Sequence, residues 1–127
     1  MMKEPREFHL GDILSVTTGR LVSPRLIEGI YDILNYMTGD SLYTHQLPRC
    51  MDECRPYLLG WHPQLAAVTG EDVTADNCES WLTQQVSIYG EYLRVEPIPP
   101  EEHERIDPVS ELAEMVHPSK IVVVRRL

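Results

Sequence analysis

The sequence predicts an α+β fold, a single mostly helical domain with a small sheet of two or three strands near the carboxyl terminus. Several segments carry apolar residues at helical spacing and end at glycine or proline. Two short apolar runs, residues 92–98 and 121–124, are typical of strands. The chain has 127 residues, 43% of them hydrophobic, enough for one modest core. We therefore assign residues 1–9 to a flexible leader and residues 10–127 to one domain.

The front of the chain contains two similar stretches, DILSVTTG at residues 12–19 and DILNYMTG at residues 32–39. Each is interpreted as the end of a helix, because apolar residues and one further turn lead to a glycine that tolerates positive φ. Residues 13–18 then form a short helix with Asp12 near its start. A strand is the alternative there, since its last three residues are β-branched. A duplicated ligand-binding loop is the other alternative.

The next two helices are predicted from their starting residues. Ser23-Pro24 is typical of a helix start, so the second helix runs from there to Gly39. A third helix begins at Pro48 and should break or kink at Pro56, because proline cannot donate a backbone hydrogen bond. A short segment follows at residues 63–68.

The second half begins with a loop over residues 70–74. Asp76 and Glu79 have the spacing of a capping box, which predicts a helix ending at Gly90. The strand over residues 92–98 follows.

Residues 101–107 form a predicted solvated linker, and Asp107-Pro108 should cap a helix over residues 109–116. The last predicted strand, residues 121–124, is expected to pair with residues 92–98, because both are short apolar strands joined by one helix.

Composition limits the classes of partner. The net charge is −9, from 20 acidic and 11 basic residues, which disfavours direct binding to nucleic acids or anionic membranes and favours a partner with a basic surface. The sequence shows no secretion signal and no apolar run long enough to span a membrane, so we expect a soluble, intracellular protein. Cys50, Cys54 and Cys78 are expected to be buried free thiols. A homo-oligomer is left open.

The most prominent polar group is the corner around Thr44, His45, Gln46 and Arg49, which follows Asp40. Donors at a junction between a loop and a helix can bind an anion or a carbonyl. Arg49 could hold a carboxylate or phosphate with two hydrogen bonds, and His45 could act as an acid or base near neutral pH. The alternative is that these side chains cap and brace the fold.

Two further residues join this candidate site. Trp61 and His62 lie in LLGWHP, beside turn formers, where an exposed aromatic residue could anchor a protein interface. A zinc site built from His45, Cys50, Cys54 and His62 is an open alternative, because the spacing is permitted but not diagnostic. We assign no metal.

Catalytic signatures are weak throughout. No serine lies in a nucleophile elbow, and the seven glycines form no phosphate-binding loop. Cys78, near a helix start, has no assignable histidine partner. We therefore assign no catalytic residue and no cofactor, favour a binding protein over an enzyme, and leave the question of an enzyme open.

The runs LGDILSVTTGRL, IYDILNYMTGDSLYTHQLPR and HPQL resemble a family of short uncharacterised proteins of tailed bacteriophages and prophages. The similarity covers roughly residues 8–68 and is most specific in the pattern TGDxLxTHQLPR. It implies a phage accessory protein in the cytoplasm of the bacterial host, without an activity to transfer.

The function expected from these observations is binding to a host protein, which is thereby inhibited or redirected. A bacterial defence complex, such as a CRISPR or restriction effector, is one candidate partner. Acidic and basic residues alternate along most of the chain, so mimicry of DNA is not required. The alternative is a small enzyme or ligand-binding protein that uses Thr44, His45, Gln46 and Arg49.

Overall fold

The computed structural model describes residues 4–114 and 122–123. These residues form a mostly helical single domain with two small two-stranded sheets, so the predicted α+β class is confirmed. In chain order the helices and strands are β1 (Arg6–His9), α1 (Leu10–Thr18), β2 (Arg20–Leu21), α2 (Ile27–Thr38), α3 (Leu47–Trp61), α4 (Cys78–Tyr89), β3 (Tyr92–Val95), α5 (Pro108–Glu114) and β4 (Val122–Val123). Short 3-10 turns lie at Thr44–Gln46, Pro63–Ala67 and Pro100–Glu102.

The core lies where α1, α2 and α3 pack against one another. Helix α1 is the central element, because all its residues from Leu10 to Val16 are buried. Trp81 and Leu82 of α4 join this core, as their helical spacing predicted. Helix α1 is buried on nearly every side, and its buried polar side chains, Asp12 and Ser15, are satisfied by hydrogen bonds within the fold.

The two similar stretches at the front are both helix endings, as predicted. Gly19 ends α1 with φ 74°, and Gly39 ends α2 with φ 73°. A side chain at either position would be strained in this left-handed conformation, so glycine fits both endings. The strand alternative for the first stretch is wrong.

The starts of the first two helices differ from the prediction. Helix α1 begins at Leu10, where the His9 ring accepts a hydrogen bond from Gly11 N, and Asp12 lies inside the first turn. Helix α2 begins at Ile27 rather than at Ser23-Pro24. The Ser23 hydroxyl donates to buried Asp12 at 2.5 Å and accepts from Arg25 N at 3.1 Å. Leu26, with φ 59°, separates this turn from the helix.

Two later helices also depart from local expectation. Helix α3 continues through Pro56. Pro56 lies at an exposed position of the helix. Helix α4 begins at Cys78 and ends before Gly90, but its start is not braced by Asp76. Instead, Thr74 and Asn77 exchange hydrogen bonds between their side chains and backbone amides.

Each sheet pairs the front of the chain with its end. Strand β1 pairs with β3 in antiparallel fashion, with Phe8 opposite Leu93, and β2 pairs with β4 in parallel. The predicted pairing between the strands at 92–98 and 121–124 is therefore wrong. Residues 6–9, which we assigned to a flexible leader, form β1, because Phe8 is only 2% exposed and fixes this segment on the core.

The segment over residues 101–107 is not a solvated linker. It belongs to a longer stretch, residues 99–112, that lies along the amino-terminal half of α3 and that we call the strap. The strap follows Ile98, which is buried and donates its amide to Met37 O at 2.9 Å. Asp107 accepts from Ser110 N at 3.0 Å and so caps α5, as predicted. The strap covers the corner described next.

Candidate functional site

The predicted corner is built by the 3-10 turn Thr44–Gln46, which runs directly into α3. Gln46 fixes this junction, because its backbone amide donates to Tyr43 O at 2.9 Å and its Oε1 accepts from Tyr43 N at 3.1 Å. Gln46 is only 2% exposed, so its side-chain amide group is held in one orientation. The remaining Nε2 group points toward the strap.

Gln46 and Arg49 together hold the carboxylate of Glu111 in α5. Arg49 donates from Nε to Oε2 at 2.8 Å and from Nη2 to Oε1 at 3.0 Å, and Gln46 Nε2 donates to Oε1 at 3.1 Å. The hydrogen bonds from Arg49 hold the pKa of Glu111 below its ordinary value, and Glu111 in turn raises the pKa of Arg49. The carboxylate that Arg49 holds with two hydrogen bonds thus comes from the chain itself, as in the alternative that these side chains brace the fold.

A second contact holds the strap one turn further along α3. The His103 side chain, only 3% exposed, lies between two carboxylates, with Nδ1 beside Glu53 Oε1 and Nε2 at 3.3 Å from Asp40 Oδ2. Asp40 also pairs with Arg105 at 3.3 Å. Asp40, one of the predicted binding residues, therefore braces the strap from the end of α2.

Thr44 and His45, the other corner residues, also have partners in the chain. The Thr44 hydroxyl is hydrogen-bonded to that of Tyr31. His45 Nε2 lies 2.7 Å from the backbone oxygen of Pro108, at the start of α5. The four predicted corner residues do come together, and three of them, His45, Gln46 and Arg49, contact the strap.

Trp61 and His62 lie apart from the corner, at the far end of α3. The separation from Arg49 is about 18 Å along the helix axis at 1.5 Å per residue. Trp61 is half-buried and packs against the Tyr57 ring, with centroids 6.1 Å apart. His62 Nε2 lies 2.7 Å from Arg94 O and so fastens β3 to the end of α3. Trp61 and His62 form no joint site with Arg49.

The residues of the zinc alternative do not converge. His45 and His62 bind backbone oxygens at opposite ends of α3, as described above. Burial raises the pKa of the Cys50 thiol to about 12 and also raises that of Cys54, which favours neutral thiols over thiolate ligands. Within residues 4–114 and 122–123, no group of three or more histidine, cysteine, aspartate or glutamate residues is placed to hold a metal ion.

A second charged group, which we did not predict, lies at the front of the molecule. This front cluster consists of Arg6, Asp12, Ser23, Arg25 and Asp32. Arg25 Nη2 donates to Asp12 at 2.5 Å and lies 3.0 Å from Asp32. Asp32 also accepts hydrogen bonds from both terminal nitrogens of Arg6. Asp12 is 1% exposed. A cleft of about 390 Å³ lies beside the cluster, but the two arginines that line it are paired with Asp12 and Asp32.

Some of these partners had signals in the sequence. Glu53 follows Arg49 by four residues on a helix, a spacing that brings their side chains 3.8 Å apart. Asp12 stands between apolar Leu10 and Ile13, and an acid in such a run needs a buried partner. His103 and Glu111 carried no local signal, because their partners lie 50 or more residues away in sequence.

Comparison with known proteins gives one match. Residues 8–68 match a family model described as a domain of unknown function (DUF7736). The matched range contains Gln46 and Arg49, but not the strap that covers them. No curated protein and no solved structure matches the chain. For the part of the chain that the structure describes, no helix combines the length and apolar character needed to cross a membrane.

Proposed function

We propose that this chain is an accessory protein of a tailed bacteriophage or prophage that binds a host protein in the bacterial cytoplasm and inhibits or redirects it. The proposed origin rests on the resemblance of residues 8–68 to phage proteins. The proposed binding role is supported by one structural feature, the apolar side chains that α5 presents to solvent.

Helix α5 is inverted relative to an ordinary surface helix. Of its described side chains, the carboxylate of Glu111 is buried, with the residue 7% exposed, whereas Val109 is 76% and Leu112 is 57% exposed. An amphipathic helix packed for stability would turn valine and leucine inward and the acid outward. We infer that these exposed apolar groups are buried when another molecule binds. Such burial is favourable by about 25 cal/mol per Å² of apolar surface removed from water.

The start of α5 is linked to an exposed aromatic residue through His45. Tyr43, 61% exposed, stacks on the His45 ring with centroids 6.2 Å apart, and His45 binds the backbone of α5 at Pro108. Tyr43, Val109 and Leu112 form what we call the apolar face. Tyrosine is enriched among residues that contribute most of the binding energy of interfaces, so the apolar face fits a protein partner.

The charge of the chain favours a basic partner. All eleven lysine and arginine residues lie outside residues 56–93, whereas Glu71, Asp72, Asp76 and Glu91 within that range are exposed. With a net charge of −9, the protein attracts a positively charged surface over a distance and repels nucleic acid. We therefore expect a partner that combines a basic surface with an apolar patch.

The experiment is affinity capture from bacterial cells with the tagged full chain, followed by mass spectrometry and by titration of the purified partner. The test variant is Val109→Ser with Leu112→Ser. The matched control is Ile88→Ser, because Ile88 of α4 is equally exposed at 63% but lies outside the apolar face. We expect wild type and Ile88→Ser to bind one partner alike and the double variant to bind about tenfold or more weakly.

The dependence of binding on salt concentration distinguishes the contribution of charge from that of apolar contact. Binding to a basic partner should weaken as ionic strength rises from 50 to 500 mM, because surface charges are increasingly screened. Equal binding by the double variant would refute the apolar face as the contact surface. Failure to capture any partner at any of several salt concentrations would count against the proposed function.

A further inference from the structure

The carboxylate of Glu111 lies in a corner that has the construction of a ligand site. We propose that Gln46 and Arg49 form a carboxylate-binding site for an acidic peptide segment or a small organic acid, and that Glu111 of the strap fills it as an internal ligand. This inference rests on the corner alone and is independent of the apolar face and of any partner bound there.

One side of the corner is fixed by a contact outside the strap. Gln46 Oε1 is fixed by the amide of Tyr43, and the residue is buried, so Nε2 stays directed at the site. Arg49 follows three residues later on α3, which places both side chains on one face of the helix. Arg49 is approached from outside the strap by Glu53 at 3.8 Å, and its hydrogen bonds to Glu111 and Glu104 O come from the strap. A guanidinium group beside a fixed amide is an arrangement that recognises a planar carboxylate.

A neighbouring acid does not block this receptor. Glu53 lies 3.8 Å from Arg49 Nη1, whereas Glu111 is bound by Nε and Nη2. The two carboxylates therefore use different edges of the guanidinium group. The edge formed by Nε and Nη2, together with Gln46 Nε2, is the part left for an incoming carboxylate.

The strap is held mainly by polar contacts. In addition to Glu111, its deeply buried side chain is that of His103, between Asp40 and Glu53. Arg49 Nη1 donates to Glu104 O at 2.9 Å, and Gln46 Nε2 donates to Ile106 O at 3.1 Å. Val109 and Leu112 are exposed and bury little apolar area in this contact. Removal of the strap therefore sacrifices little hydrophobic stabilisation, and a second carboxylate could restore the lost ion pair.

The strap also has a defined base. Pro97, Pro99 and Pro100 follow β3, and Ile98 between them is anchored in the core through burial and its bond to Met37 O. Movement of the strap would leave residues up to Ile98 in place. Proline restricts φ on either side of this anchor, and beyond α5 the chain is held again where β4 pairs with β2, so the strap is expected to move as a loop between two fixed points.

The first experiment releases the strap from the corner in the full chain. Glu111→Arg places a like charge against Arg49, and Glu104→Arg is the matched control, because the Glu104 contacts are made by its backbone. Hydrogen exchange of the backbone amides in residues 104–112 should accelerate at least tenfold in Glu111→Arg and remain unchanged in Glu104→Arg and in α1 to α4. Unchanged exchange in Glu111→Arg would overturn the proposal.

The second experiment fills the vacated corner. The probe is a fluorescently labelled peptide of residues 102–112, compared with the same peptide carrying Glu111→Gln. Fluorescence anisotropy should show that Glu111→Arg protein binds the natural peptide about tenfold or more tightly than the glutamine peptide. Wild-type protein should bind it more weakly, because its own strap occupies the site. Equal affinity for both peptides, or binding of neither by folded protein, would overturn the proposal.

Two further measurements define the ligand and guard against a variant that does not fold. Acetate that competes with the peptide would extend the site to free organic acids, whereas selective peptide binding without competition would restrict it to acidic segments. Adding Arg49→Met to Glu111→Arg should abolish the preference for the natural peptide. In wild type, excess natural peptide should accelerate exchange in residues 104–112, and the glutamine peptide should not. Acceleration by both peptides or by neither would overturn the proposal.

Discussion

The front cluster and the corner both pair arginine with a buried carboxylate, but they differ in what surrounds the pair. Asp12 in the front cluster lies on α1, the central helix, and contacts Ser23 and Arg25 close to the start of α2. Glu111 in the corner lies on the strap, whose described apolar residues are half-buried or exposed. The Asp12 carboxylate is therefore enclosed by the core while the side chain of its partner Arg25 is 46% exposed, whereas the pair of Glu111 and Arg49 is the main attachment of a peripheral segment.

This difference shows that burial of the charged atom does not by itself reveal how far a pair contributes to stability. Asp12 is 1% and Glu111 is 7% exposed, yet we expect loss of the first to disturb packed helices and loss of the second to free the strap. The loss of a contact that docks one segment can lower stability by no more than the free energy with which that segment is docked. Four sets of substitutions test this contrast.

Gly29→Ala should have the largest effect on the front cluster. A Cβ atom at residue 29 would lie 2.2 Å from Asp12 Oδ1 and 2.3 Å from Ser23 Oγ, both buried on short side chains. We expect a loss of about 3 kcal/mol in the free energy of unfolding, measured by urea denaturation. Gly60→Ala in α3 is the control, since nothing lies within 4 Å of its Cβ, and it should gain about 0.5 kcal/mol from helix propensity. A smaller loss than 1 kcal/mol for Gly29→Ala would contradict the packing described here.

Asp12→Asn should have the next largest effect. The substitution keeps the shape of the side chain but removes the charge that Arg25 and the Ser23 hydroxyl contact, and we expect a loss of about 2 kcal/mol. Asp32→Asn removes a carboxylate from the same cluster at a position 28% exposed, and should cost about 1 kcal/mol or less. Thermal and urea unfolding of the two variants provide the comparison. Equal losses would show that enclosure by the core is not what distinguishes them.

Glu111→Gln should weaken the attachment of the strap more than it lowers the free energy of unfolding of the whole protein. Arg49 lowers the pKa of Glu111 in the folded state. The stabilisation that ionised Glu111 gives to the docked strap is therefore complete above the ordinary glutamate pKa of about 4.3 and is lost as pH falls through the lowered value. In wild type, proteolysis within residues 99–107 should therefore increase on acidification through this range. The variant should be cleaved faster at pH 7 and lose the part of the pH dependence due to Glu111. An identical pH profile in the two proteins would refute the role of Glu111.

Val109→Ser with Leu112→Ser should have the smallest effect on stability. Both side chains are more than half exposed, so truncation should change the free energy of unfolding by no more than about 0.5 kcal/mol. The measurement is urea unfolding beside Ile88→Ser, for which we expect the same result. A loss above 1 kcal/mol would show that these residues stabilise the folded chain and would remove the main support for the apolar face.

The parts that sequence predicted well are those governed by local chemistry. The endings of α1 and α2 at Gly19 and Gly39 followed from the need for positive φ, and the inward face of α3 followed from periodicity. The cap of α5 by Asp107 was also predicted. The predicted starts of α1 and α2 were wrong. His9 caps α1 one turn earlier, and Leu26 with positive φ separates the turn closed by Ser23 from α2.

The corner was predicted in part. Gln46 and Arg49 were identified as a group that could hold a carboxylate, since they flank a helix start. Glu111 and His103 were not, because no local pattern links them to residues 50 or more positions away. The strap was taken for a solvated linker for the same reason, as its acidic residues look alike whether they face water or a distant arginine.

The sequence by itself determined the helical domain, its glycine endings and the donors available at the corner, because these depend on backbone sterics and on spacing within a few turns. The folded structure was needed to establish which strands pair, which carboxylate Arg49 binds and which apolar residues of α5 face solvent. These outcomes depend on contacts between segments far apart in sequence, where many charged and apolar partners compete and packing of the whole chain selects among them.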